Sequence, residues 1–390
     1  MMMKLFRLVI LLISAGFSVV GQGSKIITGA EQFESYLPLI EGKNVGLVVN
    51  HTSMLNQVHL VDFLLDRDVD VVAIFAPEHG FRGEAAAGEE IKDGVDKKTG
   101  IKVVSLYGEN KKPAPSQLKN IDVLIFDIQD VGCRFYTYIS TLHYVIESCA
   151  ENDLPLIVLD RPNPNGDYVA GPVLQKEFRS FVGLDPIPIV HGCTVGELAL
   201  MINGEKWCEG GKNCNMKVIP VLNYTHETKY ELPVLPSPNL PNYLSVRLYP
   251  SLCFFEATSV SVGRGTDFPF QVLGGVRPEL GTFKFTPVNI PGVAVNPPNE
   301  GKLCYGFDLR DLEEVPRFTL KYFLDFYNKF ENKSEFITRE RWFNLLAGND
   351  ELLKQIKAGE SEANILNSLK PELEQYKSIR KKYLLYPDFE

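Results

Sequence analysis

A chain of 390 residues is too long for one ordinary hydrophobic core, and at about 150 residues per domain it predicts two to three domains. A composition of 45% hydrophobic and 23% charged residues excludes a disordered chain, a collagen and a small disulfide scaffold. Lys and Arg total 40 against 49 Asp and Glu, and the net charge of −9 argues against a general binder of nucleic acid or of anionic membrane surfaces.

Lys4 and Arg7 precede a short apolar run at 8–20, and small residues at Val19 and Gly21 suit a cleavage site. This pattern predicts a secretory leader over 1–21, with the product exported, periplasmic and without stable membrane insertion after cleavage. Removing the leader takes Lys4 and Arg7 with it and lowers the charge to −11. Continuous β-branched runs follow at 44–50 (NVGLVVN), 70–76 (DVVAIFA), 103–106, 122–127 (DVLIFD) and 155–160 (PLIVLD). Such runs suit strands buried on both faces of a parallel sheet. Helical stripes at 59–66 and 136–150 lie between them. Thr194 with Glu197 three residues on has capping-box spacing and predicts a helix to about residue 206. The proline-rich stretch 232–241 reads as a linker. Strand-like pieces at 277–285 and 292–296, a helix at 319–330 and a charged helix at 372–383 complete the chain. The fold class is α/β: a Rossmann-like doubly wound sheet over 22–247 with a smaller α+β domain over 248–390. Seven cysteines cannot all pair. Cys208 and Cys214 bracket a flexible loop that a disulfide would close in an oxidising compartment, while the other five read as buried thiols.

Chemistry-bearing residues collect just after the strands: Asn50 after the first, Glu78, His79 and Arg82 after the second, Asp127, Gln129 and Asp130 after the fourth with Arg134 and Tyr136 beyond, and Asp160, Arg161 and Asn163 after the fifth. Ligands bind outside the carboxyl ends of the strands in open α/β sheets, so these residues are candidates for one crevice. Ordinary caps and turns use the same residue types. Dinucleotide, P-loop and nucleophile-elbow signatures are absent, so no cofactor is indicated. What remains is rich in carboxylates: Glu78, Glu84, Glu89, Asp127, Asp130 and Asp160. Paired carboxylates cleave glycosides, one as acid and one as nucleophile or base. The same residues would suit a hard divalent cation, so a metal-dependent hydrolase is the rival reading, although no metal ligand set is assigned.

Longer motifs carry a family resemblance: PEHGFRG at 77–83, SLYG at 105–108, FDIQDVGCRFYTYIST at 126–141, LDRPNP at 159–164, FVGL at 181–184, LPSPN at 235–239, VGRGTDFPF at 262–270, GKLCYG at 301–306 and RKKYLLY at 380–386. Their order resembles that of the NamZ-type exo-β-N-acetylmuramidases. The resemblance implies a Rossmann-like domain and a smaller C-terminal domain with the site between them. It implies release of terminal N-acetylmuramic acid from peptidoglycan fragments, so muramyl saccharides are the expected partners. Glu78 becomes the leading acid, Asp130 or Asp127 the second carboxylate, and Glu89 stands behind them. Asn50, His79, Arg82, Gln129, Arg134, Tyr136, Asp160, Arg161, Asn163, Glu256 and Arg264 are expected to bind substrate. The family pattern Glu-Gly-Thr-Asn stands here as Glu256-Ala257-Thr258-Ser259, which removes a side-chain amide. N-acetylmuramic acid carries a lactyl carboxylate, for which Arg82, Arg134, Arg161 and Arg264 are candidate forks, or else they neutralise neighbouring carboxylates. A non-catalytic binder of wall fragments would keep these arginines without needing Glu78.

Overall fold

The structure, a computed structural model, describes residues 25–78, 80–82 and 93–390. The expected leader, His79, Glu84 and Glu89 lie outside the described residues.

Helix α1 (Phe33–Ile40) leads into β1 (Val45–Val49), and α2 (Leu60–Leu65) into β2 (Val71–Ala76). Then come β3 (Gly94–Val95), β4 (Lys102–Ser105), β5 (Val123–Asp127), helix α3 (Tyr138–Glu151), β6 (Leu156–Leu159), helix α4 (Val195–Gly204) and β7 (Met216–Ile219). They form one seven-stranded sheet in the order β7-β6-β5-β1-β2-β4-β3. Every neighbouring pair is parallel except the edge pair β3 and β4. Without β3, the order is that of a doubly wound Rossmann sheet, with its switch point between β1 and β5. The central strands are buried along their whole length because helices cover both faces, so the sequence shows apolar runs rather than alternation.

The capping box forms as expected. Thr194 Oγ1 accepts from the Glu197 N–H at 3.2 Å, and the Glu197 carboxylate accepts from the Thr194 N–H at 2.9 Å. Beyond helix α5 (Tyr243–Leu252), strands β8 (Val272–Gly275), β9 (Phe283–Phe285) and β10 (Cys304–Asp308) make an antiparallel sheet in the order β8-β10-β9. The strand expected at 277–285 is thus a short helical turn, Pro278–Leu280, followed by a three-residue strand. The piece at 292–296 is reduced to a single bridge between Ile290 and Ala294. Helix α6 (Lys321–Lys329), helix α7 (Glu340–Ala347) and shorter helices to Arg380 complete the fold. Both parts share one buried apolar cluster, joined where the Phe135 ring meets Tyr249 and Phe254 at 5.3 and 6.2 Å. All seven cysteines are free and buried, so Cys208 and Cys214 are not bridged. The stretch 232–241 contains neither helix nor strand and packs as a wall: the Tyr136 hydroxyl donates to the Pro236 carbonyl at 2.6 Å.

Candidate active site

A cavity of about 600 Å³ opens where the end of β2, the segment before α3, the proline-rich wall and the second part of the chain meet. Glu78 lies two residues past β2 and lines it. Its carboxylate accepts from Thr137 Oγ1 at 3.1 Å and pairs with the Tyr107 hydroxyl. Burial, and then the Glu78 charge, push the Tyr107 phenol above its ordinary range. Tyr107 therefore stays a neutral donor to the carboxylate. Tyr136 and Tyr138 form a T-shaped pair at 4.9 Å on the same wall, both held protonated chiefly by burial.

The second part of the chain supplies Glu256 and Arg264. Arg264 donates to Glu256 through Nε at 3.0 Å and a terminal nitrogen at 2.6 Å. Its guanidinium lies 5.1 Å from the Phe270 ring centroid, which fixes the pair against an aromatic face. Glu78 and Glu256 are the two carboxylates on the cavity wall among the described residues. Ser259 is not on that wall. Its hydroxyl donates to the Glu335 carbonyl at 2.7 Å, so the departure from the family pattern lies away from the cavity.

Other residues singled out in the sequence form a buried network at the switch point, which touches the cavity wall where Asn50 meets Tyr138 and leaves Asn50 Nδ2 and Asp130 Oδ1 without a hydrogen-bond partner among the described residues. Asp127 is fully buried and takes both Arg161 Nε at 2.6 Å and a terminal nitrogen at 2.8 Å. Asn50 accepts from the Thr52 N–H and hydroxyl, and the Thr52 hydroxyl accepts from the Gln129 N–H at 3.0 Å. The Gln129 amide donates to the Asp130 and Pro162 carbonyls at 2.8 and 2.7 Å. Asp130, also buried, accepts from the Gly132 N–H at 2.6 Å and lies 3.6 Å from His191 Nε2. Gly132 has φ of 77°, and a Cβ there would sit 2.0 Å from Asn163 Oδ1, so only glycine fits against that amide. Asn163 in turn donates to the Cys193 carbonyl at 2.8 Å. Asp160 gathers four donors: the Arg161 and Gly196 N–H groups and the Thr194 and Tyr386 hydroxyls. Burial nonetheless pushes its carboxyl up to about 6.

Arg134 is fully buried and donates to the carbonyls of Pro172, Ile187, Leu346 and Ala347 at 2.7 to 2.9 Å. Arg82 donates to both Asp96 oxygens at 3.0 Å, and this holds the Asp96 carboxyl down at about 2. The structure therefore brings Glu78, Tyr136, Glu256 and Arg264 to the cavity. It places Asn50, Arg82, Asp127, Gln129, Asp130, Arg134, Asp160, Arg161 and Asn163 elsewhere. For Asp127, Asp160, Arg161 and Arg134 the physical reason is that buried partners elsewhere in the fold already take up their hydrogen-bonding groups. Sequence reasoning missed Tyr107, Tyr249, Arg339 and Trp342, which line the same cavity.

One cluster has metal-ligating chemistry among the described residues. His143, Glu147 and Cys208 present ligand atoms within 4.8 Å of one another. It lies off the cavity wall. Asp185 holds His143 Nδ1 at 2.8 Å, and Lys112 neutralises Glu147 at 2.6 Å.

Comparison with known proteins gives a consistent result. Residues 45–244 match the family described as exo-beta-N-acetylmuramidase NamZ, N-terminal, and residues 247–386 match its C-terminal counterpart. The chain is 39% identical to the peptidoglycan beta-N-acetylmuramidase NamZ of Bacillus subtilis (strain 168), over 93% of this chain and 92% of that one. Among solved structures it resembles two DUF1343 family proteins of Bacteroides fragilis NCTC 9343. One is 46% identical with a TM-score of 0.87, covering 94% of this chain and 100% of the other. The second is 29% identical with a TM-score of 0.80, covering 93% and 99%.

Proposed function

The chain belongs to the NamZ exo-β-N-acetylmuramidase family, and from that premise we propose that it is a glycosidase that releases terminal non-reducing N-acetylmuramic acid from peptidoglycan fragments in cell-wall turnover. The observation that carries this reading is Glu78 on the wall of a cavity of about 600 Å³ lined by Tyr107, Tyr136, Tyr138, Phe181, Tyr249 and Trp342. That volume suits a sugar-sized ligand, and aromatic faces suit a sugar's apolar C–H face.

Glu78 protonates the departing glycosidic oxygen. The Thr137 and Tyr107 hydroxyls fix the rotamer of its carboxyl group, so the proton is delivered from one direction. Glu256, held by Arg264, is the second carboxylate and stabilises positive charge as it develops on the sugar ring. This assignment moves the second role from Asp127 and Asp130 to Glu256, because Asp127 is sealed by Arg161 and neither aspartate reaches the cavity wall. The leader-like pattern at 1–21 supports work after export, in the periplasm. No helix among the described residues is long and apolar enough to cross a membrane.

The test is a disaccharide of N-acetylmuramic acid β-linked to N-acetylglucosamine. Its leaving group is a poor one and needs a proton. Wild type should release free N-acetylmuramic acid, and Glu78→Gln should lower kcat by roughly 10²–10⁴-fold. A nitrophenyl glycoside, whose leaving group needs no proton, should lose far less. Equal losses on both substrates would remove Glu78 as the acid. Activity abolished by a chelator and restored by a divalent cation would favour the metal-dependent reading.

A further inference from the structure

Two described cations line the cavity, Arg264 and Arg339. Arg264 is committed to Glu256 by two hydrogen bonds. The other arginines that a carboxylate could have used are spent as well: Arg82 on Asp96, Arg161 on Asp127, and Arg134 on four carbonyls. Arg339 is different. Its side chain is exposed and makes no ion pair or hydrogen bond among the described residues. The nearby acids are themselves paired, Glu335 with Arg277 and Glu340 with Lys357. Only its backbone is anchored, where the Arg339 N–H donates to the Ala257 carbonyl at 3.1 Å, next to Glu256.

Arg339 is the N-cap residue of α7, an eight-residue helix whose positive end favours an anion. Trp342, in the first turn of α7, lines the cavity as well. A guanidinium, a helix N-terminus and an indole face therefore share one stretch of wall. We propose that Arg339 and the first turn of α7 bind the carboxylate of an acidic amino sugar, the lactyl group of N-acetylmuramic acid, while Trp342 stacks on its ring. This rests on the function proposed above. It makes Arg339 a specificity-determining residue that separates the acidic sugar from its neutral analogue. Glu78 and Glu256 need no contact with that group.

The experiment measures binding of free N-acetylmuramic acid and of its neutral lactyl methyl ester to the full chain by calorimetry or by competition against turnover. Wild type should prefer the free acid by about tenfold, the worth of one charge-assisted fork. Arg339→Gln should bring the two ligands to within about threefold, while Arg339→Lys keeps part of the preference. Trp342→Ala should weaken both ligands by a similar factor, since stacking does not read the charge. Because Arg339 is exposed, the melting temperature of Arg339→Gln should match wild type. An undiminished preference in Arg339→Gln overturns the assignment while leaving the muramidase reading intact. A wild type that neither cleaves the muramyl disaccharide nor binds either ligand overturns both.

Discussion

The switch-point network and the cavity wall are built from the same kinds of residue, yet they do opposite work. At the switch point, Asp127, Asp160, Arg161, Asn163 and Gln129 find their partners among one another and in the backbone. At the cavity, Glu78 and Glu256 are each steadied by hydroxyl or guanidinium donors while still lining open space. The difference teaches that a polar residue after a strand marks a place where side chains converge, not a place where a ligand enters. Carboxylates that pair with their neighbours across strand ends lock the sheet. Glu78, two residues past the end of β2, lines the cavity instead.

Substitutions can break this contrast in order of size. The largest effect is expected from Glu78→Gln, with roughly 10²–10⁴-fold lost on the disaccharide and an unchanged melting temperature. Asp127→Ala should do the reverse. It strands the buried Arg161 cation and should cost about 3–5 kcal/mol of stability in urea unfolding, while kcat per folded molecule stays within about threefold. A tenfold loss of kcat with normal stability would return Asp127 to the catalytic machinery.

Asp160 gives a pH signature of the same network. Its folded-state value of about 6 lies above the ordinary carboxyl value. The stability tied to it is full below about pH 4, where both states are protonated, and falls as pH rises through 6, because the unfolded chain gives up its proton first. The drop should approach about 3 kcal/mol. Subtracting the Asp160→Asn stability curve from that of wild type should show this slope between pH 4 and 6 and a plateau above it. A flat difference would mean that the four donors fully offset burial. The smallest effect is at Arg82, partly exposed and paired with Asp96. Arg82→Met should cost about 1 kcal/mol or less at neutral pH. The Asp96 contribution is present above about pH 4 and fades as pH falls toward 2, so the cost of the substitution should shrink in acid.

Much of the sheet was legible because its strands are buried on both faces: the runs at 44–50, 70–76 and 122–127 became β1, β2 and β5 within a residue at each end. Strand β7 was not legible, since Met216, Lys217 and Val218 are only partly buried or exposed at a sheet edge. Helix α5 carries Pro250 near its end, which interrupts the reading of a helical stripe. In the site, Glu78, Tyr136, Glu256 and Arg264 were legible from motifs and do reach the cavity. Asp127 and Asp160 looked equally chemical, because their partners are distant in sequence, Arg161 for Asp127 and Thr194, Gly196 and Tyr386 for Asp160, and no local pattern records the meeting. Arg339 and Trp342 carry a faint signal, three residues apart at the start of a helix and including one of the chain's two tryptophans, but only the packed second part of the chain brings them to Glu78's cavity.

Under the proposed function, acid catalysis resides in Glu78 at the cavity and not in Asp127, which Arg161 seals. The most direct measurement is turnover of the muramyl disaccharide by Glu78→Gln and Asp127→Ala, each normalised to the folded fraction. A loss of at least a hundredfold for Glu78→Gln with near-normal turnover for Asp127→Ala is the predicted result. Near-normal turnover for Glu78→Gln, with collapse in folded Asp127→Ala, would contradict it.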